Sequence, residues 1–168
     1  MKIRNMVLAA LFAALMAICA WISLPIGTFR FTLQTFGLCL ALLTIGGKWA
    51  SISVAVYLLL GAIGLPVFSG FHGGLGTLLG PTGGCLFGFM LTCLFYWLAL
   101  SILGNKPLVR IGALIVGLVI CYLCGWLWYC RFAHIDLLAW TAPYLLPDGI
   151  KLALAIFLAR RLRPMLHM

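Results

Sequence analysis

Apolar runs follow one another along this chain with only brief polar breaks, and most are about as long as a bilayer is thick. Crossing roughly 30 Å of hydrocarbon takes about 20 apolar residues in a helix. Lipid offers no partners to backbone amides, so each crossing segment must satisfy its own hydrogen bonds. Of the 168 residues, 65% are hydrophobic and 8% charged, a balance far from that of soluble domains. The length allows about six or seven spans joined by short loops, with no room for a separate soluble domain. The expected architecture is an all-α integral membrane protein forming a single domain over residues 1–168. Its six transmembrane helices are expected over roughly 6 to 24, 33 to 47, 49 to 66, 81 to 103, 109 to 130 and 142 to 160. The second is short for a span unless it is tilted or shielded by its neighbours.

Charge placement tests that count. The net charge is +9, but the cations are strung between apolar runs rather than gathered on one face, which encodes topology and argues against nucleic-acid binding. With six spans and a cytoplasmic N-terminus, the inside ends hold Lys2, Arg4, Lys48, Lys106, Arg110, Arg160, Arg161 and Arg163, while the outside segments hold only Arg30 and Arg131. The positive-inside bias therefore predicts a multi-pass membrane protein with both termini on the cytoplasmic side. MKIRNMVLAALFAALMAICA imitates a signal peptide, but the apolar segments that follow make it a retained first helix.

Only two acids occur, Asp136 and Asp148, so paired-carboxylate hydrolysis and multi-carboxylate ion coupling have almost no material. The seven cysteines lie scattered in apolar segments without the histidine spacing of a zinc site. No GxxxxGK[ST] run supplies an ATP site. No catalytic residue, metal or cofactor is expected. Trp126, Trp128, Tyr129, His134, Trp140 and Tyr144 crowd the outer end of the fifth helix and the loop after it, where they read as an interfacial belt.

Three breaks interrupt the hydrocarbon. PIGTFRFTLQTFG, Pro25 to Gly37, alternates Phe29 and Phe31 with polar neighbours, as an extended, half-buried segment would, and Gln34 then opens the second helix. In GGLGTLLGPTGGCLFGF, Gly80, Gly84 and Gly88 recur every four residues and bare one helix face. Pro81 suits the first helical position, and the amides of Thr82, Gly83 and Gly84 would then point out of the helix start. A polar ligand could use those amides, and close helix packing would use the same bare face. In APYLLPDGIKLALA, Asp148 and Lys151 share one side of the last helix. Ionisable groups at membrane depth cost roughly 2.5 to 3.5 kcal/mol each and so point to function, or to a self-neutralised pair. All three breaks fall on the same, outer side of the six-span arrangement, which suggests a small-molecule pocket there.

In order and spacing, FTLQTFG, YLLLGAIGLPVFSGFHGGLGTLLGPTGGCLFGF and PDGIKLALA resemble the BioY family, the biotin-binding S-components of energy-coupling factor (ECF) transporters. The resemblance implies the compact six-helix S-component bundle, an outward vitamin site, a lid at residues 25–37, and a partner module of one transmembrane coupling protein and two ATPases. By position it implies a site drawn from Thr32 and Gln34, from Gly80, Thr82, Gly83, Gly84 and Cys85, and from Asp148 and Lys151, with Phe29, Phe31 and Phe68 as apolar walls. Family members usually carry Tyr after GPTGG, where this chain has Cys85. Asp148 could accept from the ureido N–H groups of biotin, with Lys151 either positioning Asp148 or attracting the carboxylate tail. In LAALFAALMA, Ala9, Ala13 and Ala17 make one small face and Ala10 and Ala14 the next; the resemblance implies that such a face docks on the coupling protein, while an internal helix contact would use it as well. The function the resemblance implies is high-affinity biotin capture and uptake across the bacterial cytoplasmic membrane. The rivals are an S-component for another vitamin and a membrane-embedded enzyme pairing Asp148 with His72 or His134.

Overall fold

The computed structural model describes residues 2–26 and 29–166, and the side chains of these except at 2, 24–26, 29, 30 and 166. In chain order the elements are α1 (Lys2–Trp21), β1 (Ser23–Ile26), β2 (Phe29–Thr32), α2 (Gln34–Ala62), α3 (Leu75–Leu79), α4 (Gly83–Leu103), α5 (Pro107–Tyr129) and α6 (Leu137–Leu166). Five of the helices are long and apolar enough to cross a membrane.

One of the five, α2, makes two passes. Gly46 breaks it with φ 81° and ψ 167°, a combination open to glycine because it carries no Cβ. The amide of Gln34 lies 2.5 Å from the hydroxyl of Tyr57, 23 residues away, whereas a straight helix would separate two such residues by about 34 Å. The chain therefore reverses at Gly46, and limbs 34–45 and 47–62 run antiparallel as the second and third of six passes. The doubling leaves Gly47 pressed on α4, where an added Cβ would sit 2.6 Å from the Cα of Trp97.

Small residues bring the helices together, as expected where lipid removes the usual drive to associate. On α1, Ala9, Ala13 and Ala17 are buried, and Ser53 of the second α2 limb donates to the carbonyl of Ala9 at 2.6 Å. Ala10 and Ala14 face outwards. Helices α4 and α5 meet through Gly88, where a Cβ would lie 3.0 Å from the Cα of Cys121, and through Thr92, whose hydroxyl donates to the carbonyl of Gly117 at 2.7 Å.

One element extends the sequence expectation and two depart from it. The extended segment closes into an antiparallel hairpin, with Ser23 opposite Thr32 and Leu24 opposite Phe31, so its backbone groups find partners before the chain enters α2. The helix expected over 49 to 66 stops at Ala62, and a tight loop with Gly64, Gly70 and Gly74 at positive φ leads into the short α3. The last helix begins at Leu137 and carries Pro143, Pro147 and Pro164 inside it, since neighbouring helices and polar side chains can take up the backbone groups that proline frees.

Candidate functional site

A cavity of about 450 Å³ opens at the end of the bundle that holds the hairpin, the 63–82 loops and the start of α6. Its polar floor is built around one ion pair. Lys151 and Asp148, one turn apart on α6, meet at 2.6 Å with both side chains buried. Two buried charges are stable only when their remaining donors and acceptors are also satisfied, and the surrounding elements supply those partners. The ammonium of Lys151 donates to the carbonyl of Thr32 at 2.6 Å, to the hydroxyl of Thr35 at 3.2 Å and to Asp148, which uses its three donors. It also lies 3.8 Å from the ring centre of Phe31, a cation–π contact. Thr35 donates to Oδ1 of Asp148 at 2.9 Å, and the Tyr122 hydroxyl donates to Oδ2. The carboxylate thus accepts three bonds, where two oxygens offer about four positions. These partners leave about one acceptor position over, on a carboxylate that lines the cavity.

Beside the ion pair, Gln34 donates to Tyr57 and accepts from the Thr32 hydroxyl at 3.2 Å, while the Tyr57 hydroxyl donates to the carbonyl of Val67 at 3.2 Å. Gln34 is thereby clamped between the hairpin and the second limb of α2, which Tyr57 ties in turn to the loop that follows. Phe68 and Phe89 form apolar wall, each almost fully buried. Opposite them runs a chain of rings from α5 and α6: Tyr129 lies 4.6 Å from Trp140, Trp140 lies 6.2 Å from Tyr144, and Tyr144 lies 6.4 Å from Tyr122. Rings at such spacing attract beyond their area burial.

Of the residues expected from the sequence, Thr32, Gln34, Phe68, Gly80, Thr82, Cys85, Asp148 and Lys151 line this cavity. Phe31 is not among the lining residues, but its ring packs against the Lys151 ammonium. The side chain of Phe29 lies outside the described residues. Gly83 and Gly84 do not line it either. A Cβ on Gly83 would sit 1.8 Å from the carbonyl oxygen of Leu78, and one on Gly84 would sit 2.3 Å from the Cβ of Trp128. These glycines seat α4 on its neighbours. Pro81 lies in a turn before the helix, which starts at Gly83, and the Gly83 amide donates to the carbonyl of Gly80 at 3.0 Å rather than pointing free.

Sequence reasoning placed Tyr129, Trp140 and Tyr144 in an interfacial belt, yet they line the cavity, as do Thr35, Tyr122 and His72. A belt and an aromatic cavity wall have the same composition. The signal that separates them is helical phase, because Trp140, Tyr144, Asp148 and Lys151 recur at intervals of four, four and three on one face of α6. His72 is held by Ser69 through Nδ1 and the Ser69 carbonyl at 3.0 Å. No group of three or more metal-ligating side chains occurs among the described residues.

These features define a membrane-spanning helical bundle with a cavity of small-molecule size at one end. The family model described as "BioY family" matches residues 1–168, and the chain belongs to that family. A probable biotin transporter BioY from Pyrococcus horikoshii is 38% identical over 165 residues, covering 97% of this chain and 98% of that protein. The biotin transporter BioY of Thermotoga maritima is 37% identical over 172 residues, covering 95% and 96%. The crystal structure of the S-component for biotin from an ECF-type ABC transporter superposes with a TM-score of 0.86 at 28% identity, over 97% of this chain and 92% of that one.

Proposed function

We propose that this protein captures biotin at the cavity and serves as the substrate-binding subunit of an ECF-type transporter. The observation that carries this reading is the open acceptor position on Asp148, set among aromatic and apolar walls. Biotin presents two ureido N–H donors on an apolar bicyclic ring, and a carboxylate fixed by Lys151, Thr35 and Tyr122 is ready to accept from them without reorganising. Because Lys151 spends its donors on protein groups, its role is to fix Asp148 in position rather than to reach for the carboxylate tail. The names and likeness of the relatives support the same ligand.

Binding rather than catalysis fits the way Asp148 is held. Among the described residues its bonded partners are Thr35, Tyr122 and Lys151, and neither His72 nor His134 shares a bond with it. The cavity lies at the end opposite Lys48, Lys106, Arg110 and Arg160, so the positive-inside bias opens it to the outside and puts both termini in the cytoplasm of the host cell. Uptake then requires an energised partner, which the family resemblance gives as a coupling protein and two ATPases. The exposed Ala10 and Ala14 strip on α1 is the small-residue face left for that contact, since Ala9, Ala13 and Ala17 are consumed inside the bundle.

The deciding experiment is calorimetry on detergent-purified protein from biotin-starved cells, with biotin, thiamin and riboflavin as titrants. One-to-one binding of biotin alone, weakened by Asp148→Asn, is the expected result. Binding of thiamin or riboflavin instead would change the vitamin and keep the architecture. Folded protein that binds none of the three would end the proposal.

A further inference from the structure

The opposite end of the bundle holds a second concavity, of about 110 Å³, between the turn of α2, the first turns of α5 and the last turns of α6. Three guanidinium side chains line it, those of Arg110, Arg160 and Arg163, with Leu43, Pro107 and Ile156 as apolar wall. Arg110 is anchored by Asn105, to whose side-chain oxygen Nε donates at 2.6 Å and to whose carbonyl Nη2 donates at 3.2 Å. Two of its five donors are thus used, and the planar head is held in place with the others still to offer.

No acidic side chain neutralises this cluster. Of the only two in the chain, Asp148 is paired with Lys151 in the cavity at the far end, and Asp136 stands at that same end, just before α6. Three cations lining one notch, with no counter-ion among the described residues, repel one another, and more strongly as the surroundings become less polar. Helix α5 adds to the field, because it begins at Pro107 behind Lys106, which makes no side-chain cap, and a helix start favours anions. The demand is for a planar-forked match to a phosphate beside an apolar wall, at the end of the bundle that the positive-inside bias turns to the cytoplasmic leaflet.

We propose that this notch binds the phosphate of an anionic phospholipid headgroup, with the three arginines around the phosphate and Leu43, Pro107 and Ile156 against the start of the acyl region. The site is independent of the biotin cavity. It would tie the ends of α5 and α6 to the α2 turn and hold the bundle by its positively charged end in an anionic leaflet.

The test uses the detergent-purified full chain, titrated with phosphatidylglycerol, with phosphatidylcholine of the same acyl chains, and with inorganic phosphate, followed by native mass spectrometry and thermal melting. Phosphatidylglycerol is expected to stay bound and raise the melting temperature, and the other two are expected to do neither. Each of Arg110→Gln, Arg160→Gln and Arg163→Gln should weaken phosphatidylglycerol roughly fivefold. Arg161→Gln removes the same charge from a side chain lying over Phe157 outside the notch, and should leave binding within a factor of about two of wild type, as expected for a charge off the site. Melting in detergent alone checks that every variant folds. Equal binding of phosphatidylcholine, an equal shift with inorganic phosphate, or an equal loss in Arg161→Gln would each overturn the proposal.

Discussion

Asp148 and Lys151 each depend on the other for being tolerated where they are. Asp148→Asn turns the charged acceptor proposed for a ureido N–H into a neutral one, and since a bond to a charged group is worth about 1.5 to 3 kcal/mol against about 0.5 to 1.5 for a neutral pair, biotin affinity should fall roughly fivefold to tenfold, read by calorimetry. Lys151→Ala strands a buried carboxylate, which costs about 3 to 5 kcal/mol, and a melting curve should show that loss whether or not biotin is added. Tyr122→Phe separates positioning from charge. It deletes one donor to Asp148 and should weaken binding severalfold, with a stability loss of about 1 kcal/mol. The acid and the lysine were legible in the sequence because charge in hydrocarbon is costly and therefore conspicuous. Tyr122 and Thr35 were not, since a tyrosine or threonine in an apolar run carries no such cost and its partner lies on a distant helix. Cys85 shows the same limit: the sequence marks the position as departing from the family's usual tyrosine, and the structure shows the thiol in the cavity wall facing Gly125, with the ring chain from α5 and α6 among the residues lining the same cavity.

Helices were legible as apolar runs, and their junctions less so. The break between the second and third passes was readable because Gly46 and Gly47 precede the charged Lys48, which must reach the membrane surface. The hairpin and α3 were not, because strands of four residues and a helix of five owe their form to what they pack against rather than to any period. Two glycine substitutions test what holds the junctions together. Gly84→Ala places a methyl 2.3 Å from the Cβ of Trp128, so α4 and α5 must separate, at a cost of about 1 to 3 kcal/mol. Gly112→Ala, on an exposed face of α5 with nothing within 4 Å, should leave stability the same or slightly better. If the two variants melt together, the glycine face on α4 is not a packing surface, and the alternative use of those glycines by a ligand regains its weight.

Transport asks the bundle to do two separable things, hold a ligand at one end and couple to a partner along one side. The two alanine registers of α1 let these be pulled apart. The sequence presented both faces as equivalent, because a small residue looks the same whether it meets a helix of its own chain or of another. Only the packing of α1 on α2 distinguishes them, by burying Ala9, Ala13 and Ala17 and leaving Ala10 and Ala14 outside. Ala14→Trp should therefore leave the fold and biotin affinity unchanged in detergent, while uptake into cells or vesicles carrying the proposed partner module falls by at least about tenfold, the effect of losing the roughly 1.4 kcal/mol or more that a blocked interface costs. Ala13→Trp should instead lower expression and melting temperature, because an indole cannot enter a core packed to crystal density. Unchanged uptake by Ala14→Trp would mean that the partner approaches another face. The bundle would then couple through a surface that its small-residue pattern does not mark.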